Sequence, residues 1–178
     1  FTNILNDFIN EFEIDYVFDL ISKSKNPPKL IQGMRYFNVF GVRQNPEGDY
    51  AAVIPKFING ILRGERIMIN GDGNISRDFT YIDNVVDFNI KCFTTENSEA
   101  FGRVFNVACG KRYSLNELVN ILSVIIGEVD YEYGEKRKGD VEHSLADISF
   151  GRDLFGYEPV VSFEEGLERT VKYFRLRV

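Results

Sequence analysis

The sequence has few of the cysteines and histidines that build metal sites and disulfides, and it has no tryptophan. Its 178 residues include two cysteines, one histidine and no tryptophan. Cys92 and Cys109 form no C-x-x-C pair, which argues against a Cys/His zinc site, and we predict no metal site of another kind. We expect both thiols to be buried in a protein of the reducing cytoplasm.

Long apolar runs and an excess of positive charge are missing as well. No run approaches the ~18–20 apolar residues that a membrane helix needs, and no basic-then-apolar signal peptide opens the sequence. Lysine and arginine total 21 against 27 aspartates and glutamates, so the formal net charge is −6. This balance argues against nucleic acid as the main ligand. We therefore expect neither a membrane nor a nucleic acid partner.

What is present indicates a folded domain. Hydrophobic residues make up 44% of the sequence and charged residues 27%, which is typical of a chain that buries a core. The polar stretch 22–28, which ends in Pro27-Pro28, is the best candidate boundary. Residues 1–30 then form a separate segment, with helical spacing up to about residue 22 and strand-like alternation over residues 14–21. Residues 31–178 form the main unit.

Strands and helices alternate after the boundary, so the predicted fold class is α/β. The patterns predict a strand over residues 33–40, short strands over 66–70 and 79–82, and extended chain over 101–107. Helices are predicted over residues 51–62, 83–93, 114–126, 147–154 and 162–174. Three of them have start signals: Asp83 as a cap, and S-x-x-E capping boxes at Ser114 and Ser162. The strands are too few and too short for a complete doubly wound sheet.

Catalytic motifs are scarce. His143 is the only histidine, and no G-x-S-x-G elbow presents a serine to it, so we interpret it as a surface or capping histidine. Gly71-Asp72-Gly73 belongs to no G-x-G-x-x-G or G-x-x-x-x-G-K-[ST] loop, and we predict a turn there. The chain contains no set of residues to which we assign a catalytic role.

Three separated basic spots are more informative. They are Arg77, Lys111-Arg112 and Lys136-Arg137-Lys138, each beside a glycine turn or a strand end. Either they are solvated surface, or they converge on a diphosphate, because the guanidinium group matches phosphate oxygens bidentately. Their spacing alone favours the solvated surface.

Seven motifs occur in one order along the main unit and together point to a family. They are RYFNVFG (35–41), YAAVIPKFINGILRG (50–64), INGDG (69–73), SRDFTYIDNVV (76–86), FNVACGKRYSLNEL (105–118), RKGDVEHSLADIS (137–149) and FGYEPVVSFEEGLERTV (155–171). The set resembles the C-terminal half of an extended short-chain dehydrogenase/reductase of the NAD-dependent epimerase/dehydratase family. It is most similar to the UDP-N-acetylglucosamine and UDP-glucose 4-epimerases. The resemblance implies the last strands and helices of a Rossmann-type fold with its small substrate-binding lobe.

The resemblance also implies site residues for NAD and for a UDP-sugar. Tyr36 and Phe37 match residues at the nicotinamide end of the cofactor. The residues that match contacts to the diphosphate are Asn38, Arg77, Arg112 and Arg137. Those that match the uridine pocket are Ala52, Val53 and Lys56 at a helix start, Met68, Ile69 and Asn70 on a strand, and Asp140 at the ribose hydroxyls. With these matches, convergence of the basic spots becomes the favoured interpretation.

The sequence also departs from the family pattern. It contains neither the G-x-x-G-x-x-G loop that holds NAD nor the Y-x-x-x-K pair that moves the proton. We therefore expect the dinucleotide-binding half to be largely absent, with residues 1–30 either its remnant or unrelated. The expected function is that of a truncated UDP-sugar 4-epimerase. The alternatives are a UDP-sugar decarboxylase or dTDP-sugar dehydratase fragment, and a non-catalytic remnant that binds nucleotide-sugars or serves an interaction. Self-association or pairing with an N-terminal half is expected too.

Overall fold

The computed structural model describes residues 32–47, 51–137 and 139–177. The predictions for residues 1–30 lie outside this part of the chain. Within it, helices and short strands alternate, which confirms the α/β class. The strands are β1 (Gly33–Tyr36), β2 (Val39–Phe40), β3 (Ile67–Asn70), β4 (Ser76–Arg77), β5 (Thr80–Tyr81), β6 (Val104–Val107), β7 (Tyr113–Ser114) and β8 (Tyr131–Gly134). The helices are α1 (Val53–Leu62), α2 (Ile82–Thr94), α3 (Leu115–Ile126), α4 (Ser149–Phe155) and α5 (Phe163–Arg175).

The strands associate in pairs. β1 lies parallel to β6, β2 to β5 and β3 to β8, while β4 and β7 are antiparallel. One edge of β1 is thus occupied, in a register that runs from Gly33 opposite Val104 to Tyr36 opposite Val107. In the described part of the chain, no further strand joins its other edge. That open edge is typical of a strand from a larger parallel sheet.

The single strand predicted over residues 33–40 is wrong, because the chain changes partner in its middle. The backbone of Asn38 has φ +39°, in the left-handed region that asparagine tolerates better than most residues. This break separates β1 from β2 and turns β2 toward β5. As a result Asn38 lies at the junction of two strand pairs.

Two hydrophobic cores hold these elements together. The first lies between α1, α3 and α5, where Ile58, Leu118 and Leu167 are fully buried. The second lies under α2 and α4 and is dominated by aromatic rings. There the ring of Phe88 packs edge-on against Tyr157 with centroids 4.8 Å apart, and the Tyr157 hydroxyl donates to the carbonyl of Ala108 at 2.9 Å. Aromatic contacts of this kind stabilise a core beyond their burial alone.

The helix start signals were only partly predicted correctly. The capping box at Ser114 is confirmed, since its hydroxyl accepts from the Glu117 N–H and the Glu117 carboxylate accepts from the Ser114 N–H. At α5 only the serine half forms, because the Glu165 carboxylate pairs with Arg169 instead. Asp83 is not the cap of α2: Tyr81 holds that position without a side-chain cap, and Asp83 accepts from Arg169 at 2.8 Å.

One surface of α2 stays apolar and exposed. Val86, Ile90 and Phe93 are 49%, 57% and 92% exposed, and their spacing of four and three residues places them on one face of the helix. We call this set the apolar stripe. None of the helices in the described ranges is long and apolar enough to cross a membrane.

Candidate functional site

A cavity of about 200 Å³ lies where β2, β4 and the start of α1 meet the chain that follows β8. Polar and charged side chains gather on it from five separate places in the sequence. The residues that line it are Asn38, Val39, Phe40, Ala52, Val53, Ile54, Asn70, Ile75, Arg77, Phe79, Leu115, Arg137 and Asp140. Seven of the thirteen are predicted substrate residues, so the fold brings most of that set together.

Arg77 is the most firmly held cation of the cavity. Its Nη1 donates to the carbonyl of Ser76 at 2.9 Å and to that of Glu142 at 3.4 Å. Its Nη2 lies 3.9 Å from a carboxylate oxygen of Asp140, and only 18% of the Arg77 side chain is exposed. An arginine fixed in this way has lost much of its side-chain freedom before any ligand arrives, which favours tight anion binding.

Arg137 and Asp140 reach the cavity from the connection between β8 and α4. We call residues 135–148 the strap; Lys138 is the one residue of it that the structure leaves undescribed. Within the described ranges, no carboxylate lies within 4 Å of the Arg137 guanidinium, although it lines the same cavity as Asp140. A charge-assisted partner such as a phosphate would satisfy this exposed cation.

The amino end of α1 opens onto the same cavity. Ala52 occupies the N-cap position with no side-chain cap, and the first turn contains no acidic residue. Ala52 and Val53 both line the cavity wall. Uncapped N–H groups and the positive end of the helix dipole therefore lie at the wall of the cavity that both arginines line.

The side-chain amide of Asn38 is placed by the strand break described above. Its Nδ2 donates to the carbonyl of Asp78 at 3.1 Å and approaches the Ser144 hydroxyl of the strap at 3.4 Å. Asn38 thus connects β2, the segment after Arg77 and the strap. Its remaining amide oxygen and its position on the cavity wall suit it to contact a polar ligand.

Asp78, the residue after Arg77, does not line the cavity but joins the backbone segments beside it. The carboxylate is fully buried and accepts backbone N–H groups from Cys109 at 2.9 Å, Gly110 at 3.0 Å and Ala146 at 3.3 Å. Burial raises its pKa, and the three N–H donors oppose that rise because they stabilise the charged form. One side chain therefore joins β4, the loop after β6 and the end of the strap.

Four predicted substrate residues have side chains outside the cavity. Lys56 lies on the exposed surface of α1, and Met68 is 53% exposed on β3. The Ile69 side chain is fully buried in the first core. Arg112 is exposed and directly precedes Tyr113, whose backbone pairs with that of Arg77. It stands one residue beyond the strand pair that holds Arg77.

The two predicted cofactor residues lie beside the cavity. The Tyr36 hydroxyl donates to Asn89 at 3.1 Å, and its side chain is half exposed at the end of β1. Phe37 packs against the second core. These contacts provide an edge for a planar ring but no cradle for a dinucleotide, and the sequence contains no glycine loop to supply one. Among the described residues, Tyr36 and Phe37 do not by themselves form a complete site for NAD.

Sequence reasoning missed most of the apolar wall and one polar contact. The wall is formed by the predicted Val53 and by six residues that were not predicted there: Val39, Phe40, Ile54, Ile75, Phe79 and Leu115. Their strand and helix patterns indicated core positions, and which of them border a cavity depends on tertiary packing. The missed contact is that of His143, whose Nδ1 lies 2.9 Å from the Oγ of Ser76. His143 is an exposed residue, as predicted, but it has a buried serine within reach.

Comparison with known proteins assigns the fold to a family. A sequence model of the NAD dependent epimerase/dehydratase family matches residues 31–108, which include β1, β2, α1 and Arg77 of the site. The chain belongs to this family. The Rossmann-like α/β arrangement of the described elements agrees with that membership, as does the order of the seven motifs.

Two of the similar proteins have names from different reaction classes. The chain is 34% identical over 139 residues to a UDP-glucose 4-epimerase from Mycolicibacterium smegmatis, which covers 78% of this chain and 43% of that protein. It is 30% identical over 152 residues to a UDP-N-acetyl-alpha-D-glucosaminuronate decarboxylase from Bacillus cytotoxicus, covering 80% of this chain and 45% of that protein. The chain spans a little under half the length of these relatives.

A solved structure shows the same relation. The UDP-N-acetylglucosamine 4-epimerase from Methanobrevibacter ruminantium, in complex with UDP-N-acetylmuramic acid, is 44% identical and superposes with a TM-score of 0.76. The match covers 83% of this chain and 46% of that one. The elements described above therefore form part of an epimerase-like fold, and the family to which they belong is NAD-dependent.

Proposed function

We propose that this chain binds the UDP moiety of a UDP-sugar and serves a 4-epimerase of the NAD dependent epimerase/dehydratase family. The observation that carries the proposal is the convergence of Arg77, Arg137, Asn38 and the uncapped start of α1 on one cavity. Two guanidinium groups, an amide and free backbone N–H groups form a complementary surface for a diphosphate.

The same cavity has a place for the nucleoside. Its apolar wall offers Val53, Ile75 and Leu115 to a planar base, and Asp140 presents a carboxylate that can accept from ribose hydroxyls. Asp140 also stands near Arg77, which keeps the carboxylate from repelling the neighbouring phosphate as a free anion. A ligand with an apolar ring, two hydroxyls and a diphosphate matches this arrangement.

In an epimerase these contacts would hold the nucleotide still while the sugar reacts. Binding that is equal in the ground state and the transition state does not itself accelerate a reaction, but it places the reacting carbon. The proton-transfer pair of the family has no counterpart in these 178 residues, so we propose that turnover needs an N-terminal half supplied with this chain.

A decarboxylase or dehydratase role is the second candidate, and the relative from Bacillus cytotoxicus favours the decarboxylase. Both reaction classes use the same nucleotide anchor, because they act on the sugar and leave UDP intact. Supplying the N-terminal half of the Mycolicibacterium smegmatis 4-epimerase, with NAD and UDP-glucose or UDP-glucuronate, separates them. Interconversion of UDP-glucose and UDP-galactose supports the epimerase, whereas carbon dioxide release from UDP-glucuronate supports the decarboxylase.

Calorimetric titration with UDP tests the binding proposal. Arg77→Ala and Arg137→Ala should each weaken UDP binding by about ten-fold or more, since a charge-assisted contact contributes on the order of 1.5–3 kcal/mol. Arg66→Ala is a control of equal charge, because Arg66 pairs with Asp130 on the exposed surface outside the cavity. Added salt should also weaken binding through the exposed Arg137. Equal affinities for the wild type and all three variants would refute the diphosphate assignment.

A further inference from the structure

The strap carries two of the proposed ligand contacts, and side-chain and loop contacts anchor it, among them those of Arg77 to Glu142 and of Asp78 to Ala146. Its described residues form no helix or strand, apart from an isolated bridge between Ser76 and His143. At this bridge the N–H of Ser76 donates to the carbonyl of Glu142 at 2.9 Å, and the N–H of Ser144 donates to the carbonyl of Ser76 at 3.0 Å. This bridge attaches the strap shortly after Arg137 and Asp140 in the sequence.

The side-chain bond between His143 and Ser76 reinforces the bridge, beside the contacts of Arg77 to Glu142 and of Asn38 to Ser144. The Nδ1 atom of His143 lies 2.9 Å from the Oγ of Ser76, and Ser76 itself is only 6% exposed. Ser76 immediately precedes Arg77, whose Nη1 donates to the carbonyls of Ser76 and Glu142. The bond between His143 and Ser76 therefore links the strap to the residue that directly precedes Arg77.

The environment of His143 does not suit it to nucleophilic catalysis. The imidazole borders a second cavity of about 310 Å³, which lies beside the first and is lined by both acidic and basic side chains. The hydroxyl partner is buried at the bridge, and neither residue lines the cavity between the arginines. The bond can hold the strap in place, but it presents no exposed nucleophile to a substrate in that cavity.

We infer that His143 is a positioning residue for the UDP site: its bond to Ser76 holds the strap so that Arg137 and Asp140 stay on the cavity. This inference rests on the proposed UDP binding. The contribution expected of one such hydrogen bond corresponds to a change of about five-fold in affinity. The effect should pass through the strap, because His143 itself does not reach the ligand space.

Titration of UDP into four single variants tests the inference. His143→Ala and Ser76→Ala should each weaken UDP binding about five-fold. His143→Asn should restore wild-type affinity, since the asparagine amide can either accept from the Ser76 hydroxyl or donate to it in place of Nδ1. Val141→Ala, an exposed neighbour on the same strap, is the matched control and should bind UDP as the wild type does. Unchanged affinity in His143→Ala would overturn the inference.

Two further measurements separate positioning from general destabilisation. In an Arg137→Ala background, His143→Ala should weaken UDP binding by less than about two-fold, because the strap then no longer carries the Arg137 guanidinium group. Losses that simply multiply would contradict positioning. Amide exchange of Ser76 and Ser144 should accelerate in His143→Ala while that of Leu118 and Leu122 in α3 stays unchanged. This second measurement needs no ligand, so it tests the role of His143 independently of the proposed function. Failure of the wild type to bind UDP would refute the proposed function. Unaltered amide exchange in His143→Ala would refute the role of His143.

Discussion

Replacement of Asp78 should be among the most damaging single changes to this fold, although the residue does not line the cavity. Its buried carboxylate accepts from Cys109, Gly110 and Ala146. Asparagine has the same shape but only one accepting oxygen. In Asp78→Asn, therefore, at least one of the three backbone N–H groups faces an NH₂ group and is left without an acceptor.

The size of the effect follows from the number of donors left unpaired. A buried N–H group without a partner costs about 1–3 kcal/mol, so Asp78→Asn should lower the free energy of unfolding by about 2 kcal/mol. Asp78→Ala leaves all three donors unpaired and should cost about 4 kcal/mol or more, a large share of the stability of a domain of this size. The alanine variant is therefore the more severe of the two.

Urea unfolding followed by circular dichroism measures these differences. The matched control is Asp153→Asn, an exposed aspartate on α4, which should stay within about 0.5 kcal/mol of the wild type. The slope with urea should be the same for the wild type and both asparagine variants, because the same surface is exposed on unfolding. If Asp78→Asn were as stable as Asp153→Asn, the account of Asp78 as the junction of three segments would be refuted.

Three further predictions concern a helix cap, a surface and the reaction. Ser114→Ala should cost about 1 kcal/mol in urea unfolding, and no loss would show that the capping box contributes nothing. The hydrogen bonds from Ser114 lower the pKa of Glu117. The cap should therefore stabilise the fold at pH values above the ordinary glutamate pKa, and this stabilisation should disappear as the pH falls through the lowered pKa. Unfolding curves measured over a pH series should show this response in the wild type and not in Glu117→Gln. Phe93→Asp in the apolar stripe should reduce self-association in sedimentation velocity, whereas Val124→Asp, at an exposed valine on α3, should not. Equal sedimentation of the two variants would exclude the apolar stripe as the surface through which the chain self-associates. The pure 178-residue chain with NAD should not interconvert UDP-glucose and UDP-galactose, because it contains no tyrosine followed four residues later by lysine; interconversion by a sample free of host epimerase would contradict this.

The helices could be predicted from the sequence because their signals are local. Ser114 and Glu117 lie within one turn of each other, and Pro55 and Gly64 mark the two ends of α1 within a dozen residues. The turn at Gly71 and Gly73 was predictable for the same reason, because both residues adopt the positive φ that glycine favours. Local chemistry alone was sufficient at these positions.

The strands predicted over residues 66–70 and 79–82 correspond to β3 and β5. The strands β4, β7 and β8 were not predicted, because each depends on a distant partner. β4 and β7 have two residues each and pair Ser76 with Ser114 across 38 positions of sequence. The strand β8 was missed because Tyr131, Glu132 and Tyr133 are all exposed and show no alternation. The bond between His143 and Ser76 depends on such a distant pairing as well.

The candidate site was predicted by resemblance rather than by spacing. Arg77 and Arg137 are 60 positions apart, and nothing local indicates that the strap brings them to one cavity. The resemblance placed Asn38, Arg77 and Asp140 there, but it did not distinguish Ile69, whose side chain lies in the core, from Asn70, which lines the cavity. Alternation along β3 separates the two, because neighbouring residues of a strand face opposite sides.

The most direct measurement of the central claim is a crystal structure of the chain grown with UDP. The account predicts density for the diphosphate between the guanidinium groups of Arg77 and Arg137, with the ribose at Asp140 and the base against the wall that includes Val53. Well-ordered UDP at another place on the protein, or a cavity that stays empty at saturating UDP, would contradict it.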